Sequence, residues 1–516
     1  MVVCFPVVAA GVTPDQVSLG VLVTAVPRDA VDAAVAGCGV EAKRSDGTLP
    51  PHVTAYLTMA LCLFAEDDYE EVATKVTGAL TRFGCWDARW QVPSSSGITQ
   101  ARVRLGAPVM AEIFESVVQP VATADTRGAW LRAWRVLAID GFDVDMPDTP
   151  ENAAEFGYAG SGDNRSAFPK ARVVALAECG THAFLACEVS GYSVGEQTLA
   201  QRLYPRLRAD ELLTADRGFY SFDAWKLASG TGAALLWRAP TGLRLPVVRV
   251  LADSTFLSVL IDAKIRGKRR DAILQAARDG RELDPEQARL VRVVEYDVPD
   301  REGNGTGELI VLLTTILDPG QARSDELADT YHQRWEQETG HDQLKTHLRG
   351  PGRLLRSRLP ELVRQEIWTW LIVHYALAVL ITRAAEAADA DPDQVSFTRV
   401  LRIARRTATG RRAFPPDDWA AALPAVHAEV TRKLNPRRRH RSCPRAVKRA
   451  RHNSYQVKKP GQTASTRHPG PASIRFWSLT PPGPAGRPVN PPESWRVPLS
   501  GFSPPGFGRK AFVVDG

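Results

Sequence analysis

The stretch Asp329–Gly350, DTYHQRWEQETGHDQLKTHLRG, is the most informative in the chain, a polar run with regular helical spacing. From Ser324 to Leu348 there is no proline and a single glycine, Gly340, so the spacing predicts a helix of several turns. At about 100° per residue, Tyr331, Arg334, Glu338 and Lys345 fall within roughly 60° of one another on that helix. The stripe sets one carboxylate among an aromatic hydroxyl, a guanidinium and an ammonium. Those groups suit metal-assisted chemistry on a polyanion, the carboxylate holding a cation and the donors holding phosphates. A solvated face with i,i+4 pairs such as Arg334 with Glu338 is the competing reading of the helix alone.

Tyr331, Arg334, Glu338 and Lys345 also fit Y-x2-R-x3-E-x6-K without a gap. This resembles the signature of the insertion-sequence-four family of bacterial DDE transposases, in which the Glu is the third catalytic carboxylate. The resemblance implies two earlier aspartates at strand ends.

Composition is compatible with such a protein. A chain of 516 residues exceeds what one core organises, so roughly two to four domains are expected. A net charge of +7 favours an anionic partner. The seven cysteines, Cys4, Cys38, Cys62, Cys85, Cys179, Cys187 and Cys443, are scattered and include no C-x-x-C pair. They read as thiols in a reducing cytoplasm, neither a zinc site nor a disulfide frame. The apolar N-terminus has no basic region ahead of it, which argues against a secretory signal. The apolar run Ile367–Thr382 contains His374 and reads as a buried helix, too short for a membrane span.

Apolar periodicity predicts a mainly helical region from Ser18 to Val117, within an N-terminal DNA-binding domain over residues 1–125. In PSSSGITQARVRLG, Ser95 or Ser96 could cap a helix carrying Thr99, Gln100, Arg102 and Arg104 toward DNA; a plain capped surface helix is the alternative. From Ala133 the pattern turns to strands. Trp134–Ile139 is an apolar run ending in Asp140 and Gly141, a rigid place for a metal ligand. Asp143, Asp145 and Asp148 are rivals in an expected loop. The family has its first aspartate in the same strand-Asp-Gly setting.

Strands Ala171–Glu178 and His182–Val189 form an expected hairpin, followed by a helix near Gly195–Leu207. A strand then ends at Asp216, whose Asp-Arg-Gly-Phe context resembles the family's second aspartate; capping of a helix near Ser221 is the alternative. Ala233–Arg238 is a fifth strand. This order is that of a ribonuclease H-like fold, an α/β mixed sheet flanked by helices. In that fold strands one and four are adjacent, bringing Asp140 and Asp216 together, and Glu338 would complete the set. The core is expected over 126–240 and 324–390.

Between them, residues 241–323 read as a β-rich insertion similar to the family's, with a helix near Asp271–Asp279. Lys264, Arg266, Lys268, Arg269 and Arg270 are candidate phosphate contacts there, or a solvated hairpin end. Some family members stack an inserted tryptophan on a flipped base, but no tryptophan lies between Trp237 and Trp335. Phe256 or Tyr296 could substitute, or be core. Residues 391–476 form a helical and basic region: Arg432 to Arg475 holds fourteen Lys or Arg and no acid, a nucleic-acid arm in which Arg438, Arg445 and Lys448 resemble the family pattern. The Pro/Gly-rich segment 477–516 is expected to be disordered.

The resemblance implies Asp140, Asp216 and Glu338 as ligands of two Mg²⁺ ions, with Mn²⁺ substituting. It further implies phosphate contacts from Tyr331, Arg334 and Lys345, double-stranded DNA as partner, a homodimer joining two transposon ends, no membrane association, and a bacterial nucleoid setting. A catalytically silent DNA-binding descendant and a nuclease of the same fold are the alternatives.

Overall fold

The computed structural model describes residues 19–42, 49–81, 92–298, 308–350, 352–409, 419–436, 474–477 and 511–514. Helices α1 (Arg28–Gly37), α2 (Pro51–Leu63), α3 (Tyr69–Thr81) and α4 (Ser95–Val117) come first. Strands β1 (Trp130–Leu131) and β2 (Trp134–Asp145) precede α5 (Pro150–Phe156), β3 (Lys170–Glu178), β4 (Phe184–Gly191), α6 (Glu196–Leu203) and β5 (Glu211–Ala215). Next are α7 (Phe222–Ser229), β6 (Ala234–Arg238), β7 (Arg249–Val250), β8 (Phe256–Ile261), α8 (Gly267–Arg278), β9 (Ala288–Val298) and β10 (Glu308–Thr314). The chain continues through α9 (Ser324–Gln333), α10 (Trp335–Asp342), a π-helical turn (Gln343–Leu348), α11 (Pro360–Ala387), α12 (Phe397–Thr409) and α13 (Trp419–Thr431). Two short strands, β11 (Ile474–Trp477) and β12 (Ala511–Val514), complete the order. These elements belong to two compact units, one of Met1–Ala215, Thr231–Ala233 and Gln333–Arg437, the other of Asp216–Gly230, Ala234–His332 and Arg438–Gly516.

In the first unit β2 is central. It pairs antiparallel with β3, Leu137 opposite Glu178 through Asp145 opposite Lys170, and parallel with β5, Arg135 opposite Glu211 through Ile139 opposite Ala215. β4 continues the sheet beyond β3 as the expected hairpin. The run Val136–Ile139 is buried at every position, which is why it is continuously apolar: a strand covered on both faces has no polar side to alternate. One continuous core joins Tyr56 and Met59 of α2, Ile113 and Phe114 of α4, Phe142 of β2 and Leu371 and Leu377 of α11. The N-terminal helices therefore share their core with the sheet. Helix α11 has the length and composition to cross a bilayer, yet 83% of its apolar window is buried, as a core helix requires.

Helix α4 starts on Ser94, whose hydroxyl accepts from the Gly97 amide at 3.2 Å, one residue before the expected cap. It kinks at Gly106, where φ is +76°, because Pro108 two positions on has no amide to donate and forces the turn apart. Helix α11 satisfies the opened backbone: Gln365 donates to the carbonyls of Arg102 and Gly106, both at 2.9 Å. Glu361 accepts from the Ala107 amide at 2.7 Å. Arg102 does not face DNA. It is 2% exposed and donates to Gln365 at 2.9 Å, to the Tyr69 hydroxyl and to Ser357 at 3.2 Å. Arg102 lies on the buried stripe of α4 with Ile98, Ala101 and Leu105, while Arg104 is on the exposed face.

In the second unit β6 pairs antiparallel with β10, Leu312 opposite Arg238, and β10 with β9. The insertion strands thus extend β6 directly. β9 pairs also with β8, and α8 covers them through Ala277 against Val259 and Ala288. Phe256 and Tyr296 are 4% and 0% exposed, so both are core and neither offers a face for stacking. The tail expected to be disordered contributes β12, which pairs with β11, and β11 pairs with β9.

Replacing Arg102 with Ala leaves a cavity in the core and takes from the buried Gln365 Oε1 its donor. The expected outcome is a loss of about 3 kcal/mol, read as a lowered midpoint in chemical denaturation, whereas a surface DNA contact would leave the midpoint unchanged.

Candidate active site

Strand β2 does not end at Asp140 but runs on to Asp145, with Asp140 opposite Ala175. The expectation of a strand end there was wrong for the antiparallel edge, because Gly141 and Phe142 keep the ladder to β3. On the other edge the pairing with β5 stops at Ile139 and Ala215. Asp140 is therefore the first residue beyond the parallel ladder, and Asp216 is the residue directly after β5. Carboxyl ends of parallel strands are where α/β sheets present ligands. The rivals lie elsewhere: Asp143 and Asp145 are strand residues paired to Arg172 at 3.2 Å and to Lys170, and Asp148 accepts from the Tyr158 hydroxyl at 2.5 Å.

Asp216 does not cap α7. Ser221 does, accepting from the Ala224 amide at 3.1 Å. The Asp216 Oδ1 atom is buried without a hydrogen-bond partner among the described residues, a costly state for a carboxylate unless something is to bind there.

The expected helix over Ser324–Leu348 forms in three pieces. Arg334, between α9 and α10, keeps helical torsions of φ −51° and ψ −29°, and the end widens to a π turn. Gln337 is 1% exposed and donates to the carbonyl of Ala175 at 2.9 Å. The residue beside Glu338 is thus tied to the strand position opposite Asp140. Gln343 holds the π turn, lying 3.0 Å from His182 Nδ1 and 3.2 Å from His374 Nε2. The sequence pattern pointed to neither glutamine, because an amide on a polar helix carries no spacing signal.

Arg334 is buried and its guanidinium lies 3.5 Å from Glu338 Oε1. Burial pushes the Asp140 carboxyl up to about 6, Arg334 and the Gly141 amide oppose the shift, and the negative charges of Glu196 and Glu338 add to it. His341, three residues past Glu338, places Nδ1 3.9 Å from Asp140 Oδ2. Burial lowers that imidazole to about 3, with Lys345 and Arg334 contributing, so it stands neutral beside the carboxylate. Among the described residues no three His, Cys, Asp or Glu side chains already converge as a metal cage.

Of the candidate phosphate contacts, Tyr331 is buried. Lys345 is half-buried, its ammonium 5.7 Å from the Phe142 ring centre. Lys264, Arg266, Lys268 and Arg269 are exposed and Arg270 half-buried. They bracket the start of α8, four residues before the expected helix, and form no hairpin end; the first turn of that helix holds no acid. Arg438, Arg445 and Lys448 lie outside the described residues.

Residues 16–115 match the family described as insertion element 4 transposase N-terminal, and residues 134–376 match the transposase DDE domain. The chain belongs to the insertion-sequence-four family of DDE transposases. It is 28% identical over 359 residues to the transposase InsG for insertion sequence element IS4 from Escherichia coli K12, covering 68% of this chain and 76% of that one. A putative transposase InsZ from the same organism is 29% identical over 178 residues, covering 33% of this chain and 57% of that one. The chain is accordingly a metal-dependent transposase with a ribonuclease H-like α/β fold. The chemistry of its residues suits a divalent cation: the Asp216 oxygen lacks a hydrogen-bond partner among the described residues, and the Asp140 carboxyl is buried.

Because Asp140 titrates higher in the fold than the value of about 4 in an unfolded chain, the folded protein binds that proton more tightly. The stabilisation is present at low pH and is lost as pH rises through about 6. In metal-free protein Asp140→Asn should raise stability at pH 8 by about 2 kcal/mol. The gain should vanish below pH 4, and thermal melts at the two pH values check it.

Proposed function

We propose that this transposase cuts DNA at the terminal inverted repeats of its element and joins the 3′ ends to target DNA, with Asp140, Asp216 and Glu338 as its metal ligands. The observation that carries the proposal is the strand register. Asp140 and Asp216 each follow the last β2–β5 pair, Ile139 with Ala215, while Gln337 fixes the helix of Glu338 to Ala175. Two divalent cations bound there, Mg²⁺ with Mn²⁺ as substitute, would activate the attacking oxygen and stabilise the leaving one in an in-line displacement at phosphorus.

The chain's own groups prepare that step. Arg334 orients Glu338 through their 3.5 Å contact, and neutral His341 packs against Asp140 without neutralising it. Lys345 holds a phosphate of the transposon end, and the cations from Lys264 to Arg270 at the start of α8 hold others, where the helix dipole also favours an anion. Arg438, Arg445 and Lys448 supply further cations for phosphates, and two copies bring two ends of double-stranded DNA together.

Incubating the full-length protein with a labelled duplex bearing the inverted repeats that flank its gene, with and without Mg²⁺, tests the reading. Boundary cleavage followed by joining, both lost in Asp216→Ala, is the expected result; binding without cleavage in Mg²⁺ or Mn²⁺ would instead identify a silent DNA-binding protein. Glu338→Gln should abolish cleavage while leaving end binding intact in a mobility-shift titration. Lys345→Ala should weaken end binding and reduce the slope of log affinity against log salt by about 1; an unchanged slope removes Lys345 from the phosphate contacts.

A further inference from the structure

Arg349, the residue directly after the π turn, is 7% exposed. Its Nε and Nη1 atoms are buried and find no acceptor among the described residues. Burial lowers the guanidinium from its usual range, against the pull of Asp145 and Glu366. Both of those carboxylates serve other donors. Asp145 pairs with Lys170, and Glu366 accepts from the Arg356 and Ser357 amides, each at 3.1 Å, and from the Ser357 hydroxyl at 2.6 Å. A buried guanidinium with unmade hydrogen bonds is costly to the fold, so an acceptor from outside the chain is the explanation to seek.

Arg349 lines a cavity of about 280 Å³ together with Arg353, Arg356, Glu366 and Trp370. Glu366 and Trp370, four residues apart on α11, share one face of that helix. The Trp370 Nε1 atom is likewise buried without a partner among the described residues. Arg356 donates to the carbonyls of Asp67 at 2.5 Å and Phe64 at 2.9 Å. Arg353, exposed at the rim, donates to the Ala65 carbonyl at 2.9 Å and to Glu66 at 3.3 Å. Both side chains thus fasten the loop before α11 to the end of α2. One water needs roughly 10–15 Å³ of such space, so the cavity takes a group of several heavy atoms. Glu366 apart, every charged side chain on its lining is a cation, and the unmade bonds of Arg349 and Trp370 are all donors, which selects an oxyanion.

We infer that this cavity binds a phosphate group through the Arg349 guanidinium and the Trp370 N–H, with Arg353 and Arg356 as positioning residues that fix its wall. It is lined by none of the proposed metal ligands. The planar fork of a guanidinium meets two phosphate oxygens at once, which an ammonium cannot do. A phosphate of the transposon end and a free phosphate ion present the same chemistry. The first source, though not the pocket, rests on the action on DNA proposed above.

Thermal melts of the full-length chain in sodium phosphate and in sodium chloride of equal ionic strength test the pocket without DNA. Mobility-shift titrations with the inverted-repeat duplex over a range of salt test the source. Arg349→Met removes the guanidinium, Trp370→Phe removes the N–H but keeps a ring, and Arg358→Met removes an exposed arginine outside the lining. Each variant is checked for an unchanged circular dichroism spectrum. Phosphate stabilises any fold somewhat by exclusion from its surface, a gain common to all four chains. Beyond it, phosphate should raise the midpoint of the natural chain and of Arg358→Met by about 2 °C more than that of Arg349→Met, with Trp370→Phe between them. That difference, together with a salt slope lowered by about 1 in Arg349→Met, supports a DNA phosphate in the pocket; the same difference with an unchanged slope supports the pocket with free phosphate as its ligand. An equal gain in the natural chain and Arg349→Met overturns the inference, as does an equal gain in Trp370→Phe where Arg349→Met does not fold. A natural chain that fails to bind the duplex overturns the proposed function instead, and the melts still decide the pocket.

Discussion

The parallel pairing of β2 with β5 is the constraint on which the chemistry depends. Parallel neighbours need a long crossover, here supplied by β3, β4 and α6, so residues far apart in sequence reach the same level of one sheet. A slip of one residue would turn the Asp140 side chain to the opposite face. Val136 to Ile139 are buried on both faces, so what opposes a slip is the charged residue at each end of the run, Arg135 or Asp140, one of which a shift would draw into the buried span. The boundary of the buried run thus sets the position of Asp140, and the end of β5 sets that of Asp216.

The third carboxylate depends on neutral groups. Glu338 is carried by a helix tied down through two amides, Gln337 to Ala175 and Gln343 to His182 and His374. His374 stacks on Phe184 with ring centres 4.6 Å apart, and burial lowers its imidazole to about 3. The Gln343 amide and the neutral His374 imidazole satisfy one another without adding charge. A lysine or arginine in the same place would pin the helix equally well, but it would compete with a cation for the carboxylates.

The strands and the hairpin were legible because apolar runs and turn residues report strands directly, whereas the adjacency of the strands before Asp140 and Asp216 followed from the resemblance of the element order to a known fold. The helix of Glu338 was legible as a spacing. Its anchoring was not, since Gln337 and Gln343 act through contacts with β3 and α11 that no local pattern records. Arg102 misled for a related reason: its sequence neighbours suggest an exposed basic helix, and only the Gly106 kink with the carbonyls it frees brings Gln365 within reach. The strand end expected at Asp140 is absent on the β3 side, because the polar stretch after Gly141 reads as a loop while Gly141 to Asp145 in fact keep the ladder.

Charge accounting around Asp140 explains why such an arrangement persists at a cost to stability. Burial chiefly raises the Asp140 carboxyl, with Glu196 and Glu338 adding to the shift and Arg334 opposing it, while His341 stands neutral beside it. A second buried cationic residue would favour the ionised carboxyl and stabilise the fold. It would also fill the place a divalent ion has to take, and its fixed geometry could not follow charge as it moves from attacking to departing oxygen. Leaving Asp140 without that partner destabilises the metal-free protein, and in the proposed chemistry the burial that raises its carboxyl is what a bound divalent ion would offset.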